Sequence, residues 1–131
     1  MRNYSLENYP SNVEINFKFL INEYGFDIIE KKEREFSYLF VFERGDIKVI
    51  LNYDYMDNFF YFSIINGKNK HYKDEDSENS LTFYDLAKFK DSEFKLEDIQ
   101  PNDEQYLTSL KNNATILKKY GHDILIGEEW I

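Results

Sequence analysis

The sequence contains no cysteine, and its 131 residues include only five glycines, two prolines and two histidines. A chain without cysteine has no disulfide, no thiolate nucleophile and no cysteine-based zinc site, and this composition is typical of a reducing compartment. The chain also lacks a run of about 18 apolar residues, so we expect neither a membrane span nor a signal peptide. These absences favour a protein of the cytoplasm.

The few glycines and the serines form no motif of phosphate binding or nucleophilic catalysis. The glycines stand at positions 25, 45, 67, 121 and 127, too far apart for a G-x-G motif or a P-loop. None of the eight serines lies in a G-x-S-x-G elbow. The sequence therefore gives no support to nucleotide-dependent or serine-hydrolase chemistry.

The histidines and the acidic loop do not have the spacing of a metal or catalytic site. Neither His71 nor His122 has the partner four residues away that a helical zinc site uses. A two-histidine ribonuclease would need cations around a phosphate, which an acidic chain disfavours. Asp74, Asp76 and Glu78 alternate as calcium ligands do, but the loop lacks the glycine and terminal glutamate of an EF-hand. We predict a protein that is not an enzyme and uses no metal or cofactor.

The start of the chain has the pattern of an amphipathic helix. Residues 11–24 carry apolar side chains at a period of 3.6, behind a capping box formed by Ser11 and Glu14. Gly25 follows as the left-handed stop. The predicted buried stripe consists of Val13, Phe17, Leu20, Ile21 and Tyr24.

The middle of the chain changes to a period of 2, which is typical of strands. Gly45 lies in a short connection that favours a hairpin, and Asp57-Asn58 is the next turn. The charged first segment suits a sheet edge, because lysines discourage pairing with other chains. The predicted strands cover residues 26–35, 37–43, 47–55 and 59–65.

The last third of the chain predicts helices again. Ser80 can cap a helix at 81–90, and Asn102 can cap a longer one that runs from about residue 103 to 120 and ends at Gly121. An apolar tail follows, which we expect to dock on the core. The buried stripe of the long helix is predicted to be Tyr106, Leu107, Leu110, Ala114 and Leu117.

Helices at both ends with the strands together between them predict an α+β fold. Forty-two per cent of the residues are hydrophobic and 18% are aromatic, enough to form a packed core. We expect a single domain, residues 1–131, in which an antiparallel β-meander of about four strands has N-terminal and C-terminal helices packed on one face.

The chain is strongly acidic, and its acidic residues are unevenly distributed along the sequence. Sixteen basic residues stand against 25 acidic ones, a net charge of −9, which disfavours a nucleic-acid partner. Residues 74–104 alone contain eleven acids and three bases, so nearly all of the excess lies there. Such a segment either speeds the encounter with a basic partner or serves only to keep the protein surface soluble. The candidate partner-binding acids are Asp74, Glu75, Asp76, Glu78, Asp85, Asp91 and Glu93.

Aromatic residues of the strands are the second candidate binding feature. Tyr53, Tyr55 and Tyr61, with Phe59, can lie close together across the Asp57-Asn58 turn. An exposed aromatic patch would make a good interface core, since tyrosine buries a large area at low entropic cost. The patch can instead be covered by the chain itself, line a small-ligand pocket or form a homodimer contact.

Two segments resemble those of a known group of small bacterial proteins. Residues 17–26 read FKFLINEYGF and residues 117–131 read LKKYGHDILIGEEWI. They resemble the forms FxFLxxxYGF and LKKYGxDILxGxxxI of proteins discussed as candidate immunity proteins, which bind and silence a toxin. The two segments cover 25 of the 131 residues. The resemblance implies a toxin as the protein partner, and it transfers no functional residues. The acidic segment, in turn, favours a basic toxin.

Replacing Leu110 by alanine tests the predicted stripe of the long helix. If Leu110 is buried, Leu110→Ala should lower the free energy of unfolding by about 2–5 kcal/mol, because it removes apolar contacts and leaves a cavity. A denaturant titration measures the change. A loss below about 0.5 kcal/mol, the size expected of a surface substitution, would mean that the stripe is assigned wrongly.

Overall fold

The computed structural model describes residues 8–67, 80–100 and 106–128, with Asp98 described by its backbone only. These residues form five helices, five strands and one turn of 3₁₀-helix at Leu96–Asp98. The elements in chain order are α1 (Tyr9–Asn16), α2 (Lys18–Asn22), β1 (Asp27–Glu33), β2 (Ser37–Arg44), β3 (Ile47–Asp54), β4 (Phe59–Asn66), β5 (Ser80–Thr82), α3 (Phe83–Lys90), α4 (Tyr106–Tyr120) and α5 (His122–Leu125).

The five strands form one antiparallel sheet in the order of the chain, β1-β2-β3-β4-β5. The predicted α+β meander is therefore confirmed, with β5 as one strand more than expected. The β2–β3 turn contains Gly45 at φ +58°, a conformation that favours glycine. β5 has only three residues and pairs with Ser63–Ile65, so on the edge that faces away from β3 the other half of β4 pairs with no strand among the described residues.

The helices pack on one face of the sheet. Side chains of that face, such as Phe40, Leu51 and Phe62, share a buried cluster with side chains of all five helices, Leu110 and Leu117 among them. The opposite face carries a separate buried cluster, which contains no helix residue and consists of Leu39, Val41, Ile50 and Ile65.

The N-terminal helix differs from its prediction. It begins at Tyr9 with Pro10 in the first turn, where the fixed φ of proline suits a helix start, so the Ser11–Glu14 capping box is wrong. Glu14 instead pairs with Lys31 of β1 at 2.7 Å. The helix breaks at Phe17 (φ −109°, ψ 14°) and continues as α2. Val13, Phe17 and Leu20 of the predicted stripe are buried, whereas Ile21 is 40% exposed and Phe19 is buried in its place.

The C-terminal half differs mainly at the element ends. Ser80 begins β5 and does not cap a helix; the cap of α3 is Thr82, which forms a capping box with Asp85. On α4, Leu110, Ala114 and Leu117 are buried as predicted, but Leu107 lies at the exposed edge of the stripe. The predicted N-cap, Asn102, lies outside the described residues.

Gly121 ends α4 through a close approach and not through a left-handed conformation. A Cβ at this position would lie 2.7 Å from the carbonyl oxygen of Leu117 and 2.8 Å from its Cδ1, so only glycine fits. The chain turns directly into α5, which buries Ile124 and Leu125. The expected docking of the C-terminal tail is confirmed for these residues.

Four tyrosine rings pack together where α1 and α4 meet the sheet, and we call Tyr9, Tyr38, Tyr53 and Tyr106 the tyrosine cluster. The Tyr9 ring centroid lies 5.0 Å from that of Tyr53, 5.7 Å from Tyr38 and 6.1 Å from Tyr106. The Tyr53 hydroxyl donates to Oδ1 of Asn58 at 2.6 Å. The Tyr9 hydroxyl is buried and has no hydrogen-bond partner among the described residues. An unpaired buried hydroxyl costs stability.

Tyr9→Phe should therefore stabilise the protein. The substitution keeps the packed ring and removes the unpaired hydroxyl, so we expect the free energy of unfolding to rise by about 1 kcal/mol. Tyr53→Phe is the matched control, because it removes the hydrogen bond to Oδ1 of Asn58 and should lower stability. Denaturant titrations of both variants at neutral pH measure the difference; destabilisation by Tyr9→Phe would contradict this account.

The same hydroxyl should make stability fall at alkaline pH. Burial, followed by the neighbouring Tyr53, Tyr106 and Tyr38, raises the pKa of Tyr9 well above the ordinary value. In the unfolded chain Tyr9 loses its proton near pH 10, whereas the native state keeps it, so stability falls as the pH rises above about 10. Tyr9→Phe removes this contribution. Its advantage over the parent chain should therefore be larger at pH 11 than at pH 8.

Candidate functional site

An aromatic groove lies along the half of β4 that β5 does not cover. It encloses a cavity of about 220 Å³. We call it the β4 edge groove; its lining residues are Phe59, Phe60, Tyr61, Phe62, Ser63, Thr82, Phe83, Tyr84, Leu96, Ile99, Gln100 and Asn113. Tyr61 is 53% exposed and Leu96 is 42% exposed, so the groove presents apolar surface to solvent.

Gln100 closes part of the β4 edge with its side chain. Its Oε1 accepts a hydrogen bond from the N–H of Phe60 at 2.8 Å, and its Nε2 donates to the carbonyl oxygen of Phe60 at 2.9 Å. A residue of a paired antiparallel strand makes this same pair of bonds with its peptide groups. The Gln100 carboxamide thus acts as a substitute for one strand residue.

Asn113 of α4 holds the wall of the groove from the inside. Its side chain is buried, and its Nδ2 donates to the carbonyl oxygen of Ile99 at 2.7 Å and to that of Ser109 at 2.8 Å. Ile99 is itself 2% exposed. The residue just before Gln100 is therefore fixed to the core by packing and by a hydrogen bond.

The structure separates the predicted aromatic patch into two faces. Tyr53 is fully buried in the tyrosine cluster, so for this residue the alternative that the chain itself covers the patch applies. Tyr55 is half-buried on the helix side, and its hydroxyl donates to the carbonyl oxygens of Arg34 and Glu35 at 2.7 and 2.6 Å. Burial, with the charges of Glu33, Glu35 and Asp54, raises the pKa of Tyr55. Tyr55 serves to hold the β1–β2 connection.

Tyr61 is the one of the three tyrosines that remains available for a partner. The register pairs Tyr53 with Phe60 and Asn52 with Tyr61, so Tyr61 points to the face opposite Tyr53. Its ring packs on Phe59, with 4.7 Å between centroids. Four residues, 55–58, connect the paired residues Asp54 and Phe59, so odd-numbered residues of β3 share a face with even-numbered residues of β4. Asn58, in this turn, is buried and adopts φ +54°.

The predicted acids are placed only in part. Asp85, Asp91 and Glu93 are exposed, as the hypothesis of a charged surface requires. Asp85 also belongs to the capping box of α3, and Oδ1 of Asp91 accepts from the N–H of Glu93 at 3.1 Å. The remaining predicted acids and the first histidine lie outside the described residues; these are His71, Asp74, Glu75, Asp76 and Glu78.

The second histidine lies on the surface against an aromatic residue. Nδ1 of His122 is 2.8 Å from the Tyr24 hydroxyl, and their ring centroids are 5.7 Å apart. Burial, with the nearby charges of Glu23 and Asp123, raises the pKa of Tyr24. Within the described ranges, histidine, aspartate and glutamate side chains form no group of three that could bind a metal, and no helix has the length and apolarity to cross a membrane.

No family model, curated protein or solved structure matches the chain.

Sequence reasoning did not identify Gln100 or Asn113. Both are single polar residues without a motif, and each acts on a backbone group that is distant along the chain. The sequence gives no signal for either, because β5 (Ser80–Thr82), which is too short to cover the eight residues of β4, is recognised only in the structure.

Replacing Asn113 by alanine should loosen the groove. Asn113→Ala leaves the buried carbonyl oxygen of Ile99 without its donor, so we expect a loss of about 1–3 kcal/mol in stability. Faster amide exchange around residues 96–100 should accompany it. Lys111→Ala, an exposed change on the same helix, is the control and should alter neither measurement. Equal behaviour of the two variants would contradict the anchoring role.

Proposed function

We propose that this chain is a non-enzymatic protein-binding protein of the bacterial cytoplasm, an immunity-type inhibitor that neutralises a basic toxin. The observation that carries the proposal is the β4 edge groove, an apolar cleft with Tyr61 and Leu96 exposed at its mouth. Aromatic side chains that are exposed beside a pocket are typical anchors of protein interfaces.

The charge around the groove supports a basic partner. The two segments that supply most of its walls, residues 57–63 and 83–100, contain six acids and three bases, a formal charge of −3. Asp85, Asp91 and Glu93 are exposed there, as is Glu97. Such a field increases the rate of encounter with a positively charged surface and weakens as salt is added.

The volume of the groove favours a side chain over a whole metabolite. Pockets for small ligands typically measure about 300–1,000 Å³, whereas this cavity measures about 220 Å³. The alternative of a small-ligand or regulatory module therefore takes second place. It predicts a shift in melting temperature with a metabolite, and the further alternative, a homodimer, predicts a dimeric mass in light scattering.

Co-expression with the product of the neighbouring upstream gene tests the proposal. The chain should restore growth to cells that express that product, and the two proteins should purify as a complex. Tyr61→Ser should weaken the complex about tenfold or more, since interface tyrosines commonly contribute over 1 kcal/mol. Phe36→Ser, 46% exposed between β1 and β2 and outside the groove lining, is the matched control. Absence of both rescue and complex would refute the immunity role.

Association kinetics test the electrostatic part separately. Glu93→Gln with Glu97→Gln should slow association and reduce its dependence on salt, while dissociation changes little, because charges at the rim of an interface act mainly on the encounter. The control is Glu23→Gln with Glu30→Gln, which changes the charge by the same amount at positions outside the groove lining. Identical association rates for the two double variants would contradict steering by this surface.

A further inference from the structure

Asn113 of α4 is a buried polar residue at the floor of the β4 edge groove. It is 1% exposed and belongs to the groove lining. Its Nδ2 donates to the carbonyl oxygens of Ile99 and Ser109 at 2.7 and 2.8 Å. Carbonyl oxygens can only accept hydrogen bonds, so the orientation of the Asn113 carboxamide is fixed and Oδ1 points away from both partners.

Oδ1 of Asn113 is a hydrogen-bond acceptor without a donor. No described residue donates to it. Among the described residues, the side-chain polar atoms that are both fully enclosed and unpaired are the Tyr9 hydroxyl and Oδ1 of Asn52. Oδ1 of Asn113 is unpaired but is not one of these enclosed atoms, so the small exposed area of Asn113 includes it. The groove therefore contains an acceptor that a bound group can reach.

The surfaces around this acceptor are aromatic. Phe60 and Phe62 stack with 4.8 Å between ring centroids, and Phe83 packs edge-on against Phe62 at 5.6 Å. Two other polar side chains of the lining are already engaged, since Gln100 binds the backbone of Phe60 and Thr82 caps α3. A group inside the cavity therefore meets apolar rings and, at the floor, one unpaired acceptor.

The volume and the entrance of the cavity limit the group that fits. The cavity measures about 220 Å³, and an apolar protein cavity of about 150 Å³ is enough to bind benzene. The space therefore suits an aromatic side chain of one or two rings. Such a side chain enters at the mouth, where Tyr61 and Leu96 are exposed, and leaves the pairing of the strands unchanged.

From these observations we propose that the β4 edge groove binds a tryptophan side chain of the partner, whose indole N–H donates to Oδ1 of Asn113. The proposal rests on the proposed function and specifies the residue by which the partner is recognised. Indole is a donor only, so it satisfies the acceptor and brings no second polar group into the cavity. A phenol oxygen would lack a donor there, and a lysine or arginine would lose the hydration of its charge.

The acids around the groove favour basic residues beside this tryptophan. Residues 57–63 and 83–100 contain six acids and three bases. Asp85, Asp91 and Glu93 are exposed, and charges at the rim of an interface select a partner of opposite charge. The expected epitope is therefore a tryptophan flanked by lysine or arginine.

Indole and benzofuran test the hydrogen bond on the unmodified chain. Benzofuran has nearly the same shape but carries an oxygen in place of the N–H, so it cannot donate. In NMR titrations indole should bind about three- to tenfold more tightly, the effect of one net hydrogen bond. Intermolecular NOEs should connect the indole ring to the rings of Phe60 and Phe83. Equal affinities, or an absence of these NOEs, would overturn the proposal.

Asn113→Ala should abolish the preference for indole. The variant lacks the acceptor, so the ratio of the two affinities should fall to about one, even if the loosened groove binds both compounds more weakly. Lys111→Ala, exposed on the same helix, should retain the ratio of the parent chain. A purely structural role of Asn113 predicts that the alanine variant also retains it. If this variant does not fold, the two compounds and the NOEs on the unmodified chain decide.

A capped five-residue peptide, with a tryptophan between two pairs of lysines, tests the predicted epitope. Benzothienylalanine in place of the tryptophan keeps the shape and exchanges the N–H for sulfur, so it should weaken binding about three- to tenfold. Glutamates in place of the lysines should weaken binding about tenfold, because they reverse the charge. Equal binding of the benzothienylalanine peptide would contradict recognition through the indole N–H.

The outcomes separate this proposal from the immunity role. If neither indole nor the peptide binds while co-expression gives rescue and a complex, the immunity role stands and only this mode of recognition fails. Indole-selective binding without rescue or complex would reject the immunity role and leave the specificity of the groove. A dimer in light scattering that becomes monomeric in Trp130→Phe would overturn the proposal, since the occupant would be the chain's one tryptophan from a second copy.

Discussion

The requirement that backbone polar groups be paired explains the site more than any other constraint. β4 has eight residues, but β5 covers only three of them before the chain turns into α3. The remaining edge has to be satisfied by something other than a strand. The Gln100 side chain does this at Phe60, and the segment that ends at Gln100 is held beside β4 as a result. The groove is the space left between these elements.

The helix face and the groove depend on each other through the aromatic rings of β4. Phe60 and Phe62 stack at 4.8 Å and contribute both to the main core and to the groove lining. Phe83, at the start of α3, packs edge-on against Phe62 at 5.6 Å. A packed interior cannot adjust freely around such contacts. The groove therefore has rigid walls on the core side. The side chains most able to move are those of Tyr61 and Leu96, which are exposed, and that of Gln100.

Charge and shape have different roles in the proposed recognition. The excess of acids acts over about 10 Å at moderate salt, so it influences how fast a basic partner arrives and which partners are rejected. In the proposed function the groove acts only on contact, through burial of apolar side chains. An inhibitor needs both properties, because it must find its toxin quickly and release it slowly.

Residue patterns alone determined the fold class, the first four strands of the meander and half of the buried residues of α4, because periods of 2 and 3.6 record which side chains meet the core. They did not determine on which face Tyr61 lies, since this depends on the register of β3 and β4, which pairs Tyr53 with Phe60 and Asn52 with Tyr61. They also could not reveal Gln100 and Asn113, whose roles depend on backbone groups 40 and 14 residues away. Only tertiary structure brings such groups within hydrogen-bonding distance, and the candidate site consists of these long-range contacts.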